Sequence, residues 1–235
     1  EAEVINDLLN QKAKVAITTR DLTVEEKARF DKSKINPRVT PFAHDAIAFI
    51  SSKSNNDTLI ALKTVIDFMQ GKTDGKIKGL VFDNPNSSTV RYMKELAKVN
   101  EIPKSGVFSF KTNNEVIKFV SENEGMIGVI GINWFYQPTP DMTETINKIN
   151  VLYVKGLNSN EYYSPTQNDL EIGKYPLARD LFIINCQGYS GLGMGFASFI
   201  AGDIGQRIVL KSGLLPYKTP GRKLKIRNEI IKDKE

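Results

Sequence analysis

Apolar positions along the chain switch repeatedly between helical and strand spacing, and that alternation predicts an α/β protein with mainly parallel sheets. Val4, Ile5, Leu8 and Leu9 fall on one face of a helix over 2–9. Lys14-Val15-Ala16-Ile17-Thr18-Thr19 reads as a strand that ends in Arg20-Asp21-Leu22-Thr23. Thr23 is an N-cap, and Glu26 three residues on completes a capping box for a helix through Phe30. Residues 37–51 are extended for longer than one ordinary strand, as a segment crossing between two lobes would be. An amphipathic helix over 59–69 is closed by Gly71.

The second half repeats the alternation. Lys78-Gly79-Leu80-Val81-Phe82 is a short apolar strand, and 88–99 is a helix carrying Val90, Met93, Leu96 and Ala97 on one face. A helix over 113–121 leads to a buried, glycine-spaced strand over 125–131, and 150–154 is a further strand. Residues 156–173 carry turn chemistry and wrap the surface. The second long extended run, 175–186, precedes helices over 192–201 and 203–212. Two crossings divide the chain into one lobe built from 1–52 and 179–235 and another from 53–178.

At 235 residues, 40% of them apolar, the chain can bury a substantial core. A net charge of +5, spread along the chain, is too weak a signal for nucleic acid. The denser basic run at 218–225, continuing to Lys232-Asp233-Lys234-Glu235, reads as a solvated tail. The single Cys186 allows no internal disulfide and sits in an apolar run, as a small core residue. One histidine, His44, builds no metal cluster, and no cofactor is expected. Nothing approaches the about 18 apolar residues of a membrane span, and the start at Glu1 carries no signal peptide.

The loop Asp83-Asn84-Pro85-Asn86-Ser87-Ser88-Thr89 joins a strand to a helix start. Unpaired amides and a partial positive charge make such a terminus an anion site, and Ser87, Ser88 and Thr89 add hydroxyls. The same residues are also ordinary N-cap and turn vocabulary, and both readings stand at this point. Thr19-Arg20 is a second donor loop at a strand end, its guanidinium suited either to an oxyanion or to a surface carboxylate. His44-Asp45 lacks a nucleophile elbow nearby and is not expected to be catalytic. Gly191-Leu192-Gly193-Met194-Gly195 departs from the dinucleotide fingerprint and reads as close helix packing. Trp134-Phe135-Tyr136 reads as lobe packing before an aromatic ligand platform.

Several segments together resemble the phosphate-binding proteins of bacterial phosphate ABC transporters, within the type 2 periplasmic-binding-protein fold. They are 16–23, 43–50, Ser87-Ser88-Thr89, Gly125-Met126-Ile127-Gly128, Tyr175-Pro176-Leu177-Ala178-Arg179, 204–209 and 212–216, in serial order over nearly the whole chain. The resemblance implies a two-lobed α/β fold, no enzymatic activity, and phosphate or a related oxyanion bound between the lobes. It places the family's Ser-Gly-Thr loop on Ser87-Ser88-Thr89 and its early serine-arginine loop on Thr19-Arg20, with Asp83 and Asp45 as secondary members. Asp83 stands where the family often has arginine, so it would meet a protonated oxyanion or orient Arg20. A family strand-helix-strand ahead of Glu1 has no counterpart in this sequence. Also implied are a monomer, an inner-membrane permease as partner, and the periplasm, free or lipid-anchored, as location. A regulatory effector domain of the same fold, or a binder of another small ligand, is the alternative.

Overall fold

The computed structural model describes residues 1–72, 75, 77–103 and 105–221. The expected solvated tail therefore lies, past Gly221, outside the described residues.

The chain begins with α1 (Ala2–Leu9), β1 (Val15–Thr18) and α2 (Val24–Lys32). Thr23 caps α2 in a full capping box with Glu26, as its spacing predicts. The long strand β2 (Arg38–Ser52) follows, then β3 (Leu59–Ala61) and α3 (Leu62–Met69). The helix expected over 59–69 thus starts three residues late, because its first residues pair in parallel with a strand far along the chain. Gly71, at φ +80°, supplies the left-handed turn beyond it.

The middle comprises β4 (Gly79–Phe82), α4 (Ser88–Ala97), β5 (Val107–Ser109), α5 (Asn113–Glu122) and β6 (Met126–Gly131). Short α6 (Asn133–Tyr136), a 3₁₀ turn and α7 (Thr143–Ile146) come next. The single strand expected at 150–154 is two strands, β7 (Ile149–Val151) and β8 (Tyr153–Lys155). Leu152 marks the break, where the chain leaves β2's sheet to pair with β3 in a second sheet. The surface wrap contains β9 (Tyr162–Tyr163) and α8 (Gln167–Glu171). Last come β10 (Ala178–Asn185), α9 (Leu192–Ala201), α10 (Asp203–Lys211) and β11 (Leu215–Pro216).

The large sheet runs β1-β10-β2-β6-β4-β5, with β7 and β11 also on β2; the small sheet is β3-β8-β9. β2 organises both ends of the large sheet. Residues 38–46 pair with β10, and residues 47–52 pair with β6 and β7. From Asp45 to Ser52 every residue is buried, as a strand covered on both faces must be. A bulge opposite the Leu181–Phe182 step accommodates Pro41, which cannot donate to a ladder.

The α/β layering matches expectation, but the expected mainly parallel pairing does not hold throughout. β4 lies parallel to β5 and β6, and β3 parallel to β8, whereas β2, β10 and β1 pair antiparallel. The cause is the path of the chain: β2 carries it out and β10 brings it back, so the neighbouring passages run in opposite directions.

Among the described residues, three apolar clusters fill the interior. The largest gathers Ala46 through Leu177 around Phe49, Ile50, Leu80, Met93 and Ile130. Two smaller ones join the chain's ends: Ile5, Leu8, Phe30 and Ile184 form one, and Phe42, Ile183, Ala197 and Val209 the other. Cys186 is half-buried at the edge of the first of these, and burial raises its thiol to about 11. Trp134 and Phe135 pack against the large cluster, in keeping with their packing role. Within the glycine run, Gly193 is where α9 packs closely, since a side chain there would meet Val15 and Asn185.

Candidate functional site

β4 ends at Phe82, and Asp83 turns the chain toward α4. An Asx turn follows, with Asn84 Oδ1 accepting the Asn86 amide at 2.9 Å. Ser87 is the N-cap of α4: its Oγ accepts the Val90 amide at 3.2 Å and donates to Asp83 Oδ1 at 2.6 Å. Asp83 Oδ2 also accepts from Asn113 Nδ2 at 3.3 Å. Burial raises the Asp83 carboxyl above its usual range, against the opposing pull of those two hydrogen bonds. The side chain thus braces the loop from behind and has no bond to Arg20. Thr89 is buried in the first turn of α4.

Ser88 faces a different neighbour. Its Oγ accepts from Arg179 Nη1 at 3.2 Å. Arg179 also donates to Asp45 Oδ2 from Nε at 2.9 Å and from Nη2 at 2.7 Å. The two residues are directly opposite in the β2–β10 ladder, and their side chains are only 8% and 4% exposed. Asp45 Oδ1 is buried with no partner among the described residues. His44, one residue earlier, points to the opposite face and pairs with Asp180 at 2.6 Å. The alternation of a strand therefore separates His44 from Asp45 and removes them as a working pair.

Thr19 and Arg20 leave the end of β1 and meet α4 through two residues that the sequence reading did not single out. Glu1 Oε1 accepts the Thr19 amide at 2.8 Å and its hydroxyl at 2.7 Å. Glu1 Oε2 accepts from Arg91 Nε at 2.9 Å and Nη2 at 2.7 Å. Arg20 forms a two-pronged pair with Glu26, at 2.7 Å to each oxygen, and its Nε lies 3.7 Å from Glu1. Of the two uses weighed for Arg20, the carboxylate pair is the one seen. Arg20, Ser87, Arg91, Lys94 and Lys98 line one groove of 1140 Å³, with Glu1, Glu3 and Glu95 interspersed.

The candidates therefore fall into two groups on either side of the α4 N-terminus. Arg20 and Ser87 line the groove, with Thr19 behind them bonded to its Glu1, whereas Asp45 and Ser88 meet through Arg179. Arg91 was within reach of sequence reasoning, since it lies four residues after Ser87 and so shares its helix face. Among the described residues no group of three or more His, Cys, Asp or Glu could hold a metal ion.

An α/β frame, strands shared between cores and a donor-lined groove at a helix start are the parts of a solute-binding protein. Residues 1–203 match the PBP superfamily domain, and the chain belongs to that superfamily. It is 31% identical over 237 residues to the phosphate-binding protein PstS of Borreliella burgdorferi, across 92% of this chain and 76% of that protein. The crystal structure of PstS from Borrelia burgdorferi superimposes with a TM-score of 0.57 at 26% identity, over 93% of this chain and 85% of the other. A Clostridium perfringens protein, assigned as a phosphate ABC transporter substrate-binding protein and solved with bound phosphate, shares the fold. Its TM-score is 0.70 at 21% identity, over 93% of this chain and 85% of that one. The family is one of transport solute-binding proteins, not of enzymes.

Proposed function

We propose that this chain is the solute-binding component of an ABC transporter and binds a tetrahedral oxyanion, phosphate foremost. The ligand lies in the groove lined by Arg20, Arg91 and Ser87, where Ser87-Ser88-Thr89 begins α4 and Thr19 stands behind Glu1. The observation that carries this reading is a groove at the start of α4 lined by the Arg20 and Arg91 guanidiniums, with Thr19's amide and hydroxyl donating to Glu1 at its edge. Arginine forks and helix-start amides suit an oxyanion in both charge and geometry. Asp83 supports the site indirectly, by holding Ser87 and Asn113 behind the loop.

In this reading, 1–52 with 179–235 form one lobe and 53–178 the other, and β2 and β10 are the hinge about which they close on the ligand. The loaded protein, a monomer, delivers its anion to a membrane permease from the periplasm. Calorimetric titration with phosphate, sulfate and molybdate tests the assignment. Heat on phosphate addition is expected, and silence toward all three anions overturns it. Arg20→Ala is expected to weaken phosphate by about 1.5–3 kcal/mol, the worth of a charge-assisted hydrogen bond.

A further inference from the structure

Glu1 is separated by 18 residues from Thr19 and by 90 from Arg91, yet its carboxylate joins them. Four donor atoms reach its two oxygens within 2.9 Å, and Arg20 Nε stands 3.7 Å away. The side chain is only 11% exposed. A carboxylate and one edge of a tetrahedral oxyanion offer the same pair of acceptor oxygens, so donors gathered around one suit the other. Burial acts to raise the Glu1 carboxyl, but the Thr19 hydrogen bonds and the Arg91 charge outweigh it and hold the group below its ordinary value. It is therefore an anion at neutral pH. Glu1 is also the N-cap of α1, yet its side chain makes no capping bond. The carboxylate can leave without uncapping its own helix.

The geometry points to Glu1 as an intramolecular competitor: its carboxylate occupies the oxyanion cradle of Thr19, Arg20 and Arg91, and a ligand anion binds there by displacing it. This rests on the reading of the groove as an oxyanion site. The apparent affinity for ligand is then the intrinsic affinity reduced by the fraction of molecules whose cradle is open. Glu1 thereby sets the concentration range in which the protein loads, without touching the bound anion.

Titration calorimetry with inorganic phosphate, on the wild-type chain and on the Glu1→Ala and Glu1→Gln variants, tests the inference. Glu1→Gln keeps the reach of the side chain and drops its charge, and thermal melts establish that each variant is folded. Both variants are expected to bind phosphate roughly ten-fold or more tightly than wild type, because the competitor's cost has been removed. Adding Arg91→Gln to Glu1→Ala should abolish the gain. Wild-type binding that is unchanged or weakened in the Glu1 variants overturns the inference and leaves the groove reading intact, with Glu1 then a structural strap. Silence of wild type and variants alike removes both.

Discussion

Replacing Arg179 by methionine deletes the only guanidinium that faces Asp45 across the β2–β10 ladder among the described residues. In the native protein the pair is tied by two hydrogen bonds to one carboxylate oxygen, with a third to Ser88. The other oxygen, Asp45 Oδ1, is already buried without a partner among the described residues, so none of them offers a second donor when the arginine leaves. With the side chains only 8% and 4% exposed, water cannot take over the arginine's role. Stranding a charge in this way costs about 3–5 kcal/mol, and the absence of a substitute donor argues for the upper part of that range. Urea unfolding followed by circular dichroism is the assay. Each kcal/mol should also lower the melting temperature by roughly 2–4 °C in a chain of this length. The double variant Asp45→Leu, Arg179→Met removes both charges, and its cost should fall well below that of Arg179→Met alone. A single-variant cost under about 1 kcal/mol, or a double variant that costs the sum of the two singles, refutes the argument.

Further expectations follow from other parts of the fold. Hydrogen bonds from Arg20 hold the Glu26 carboxyl at about 2, against burial, which acts to raise it. Because the folded value lies below the usual 4.5, the stabilisation is complete above that pH and lost as pH falls toward 2. The melting-temperature gap between wild type and Glu26→Gln should therefore be widest near neutrality and close on acidification; a gap constant to pH 2.5 contradicts the pairing. At Gly205 a methyl would sit 2.3 Å from the Phe199 carbonyl oxygen and 2.4 Å from the Ile200 Cα, both backbone atoms. Gly205→Ala should thus cost about 2 kcal/mol or more in unfolding free energy. Gly195→Ala, in open space within α9, should instead stabilise by about 0.5–1 kcal/mol. Cys186, raised to about 11, should react with a thiol reagent at pH 8 far more slowly in the native chain than in urea.

Local signals in the sequence identified elements better than they identified meetings. The Thr23 and Glu26 box, the long passages that became β2 and β10, and the strand-to-helix turn at Asp83–Ser88 all depend on residues a few positions apart. The Thr112 and Glu115 box that starts α5 has the same spacing and was equally open to reading. The start of α3 was misplaced because 59–61 continue a helical apolar pattern, while the partner that makes them a strand, β8, lies over ninety residues away. Leu152 was absorbed into one strand because a chain that changes sheets keeps the same apolar spelling. At the site, the turn and the Thr19-Arg20 loop were legible as donor sets. Their nearby partners, Glu26 for Arg20 and Asp83 for Ser87, lie within six residues, but Glu1–Arg91 and Asp45–Arg179 are contacts between distant segments that no local pattern encodes.

The pairing of β1 has a consequence for how the chain is made. Val15 lies opposite Asn185, and β10 is the strand to which β1 is joined. As synthesis proceeds from the amino end, β1 emerges about 170 residues ahead of its neighbour and must wait for it. The large cluster from Ala46 to Leu177 draws on residues that are all complete before β10 appears. The interior of the molecule can therefore assemble first and serve as the template on which β2 waits, extended, to receive β10 and then β1. Closing that long loop onto an existing strand costs less entropy than bringing two free ends together. The part of the groove that Arg20, just past β1, contributes is then among the last to form. A nascent chain halted before residue 178 would carry the α4 turn without the strand on which β1 is seated, so the proposed anion site would be incomplete until β10 is made.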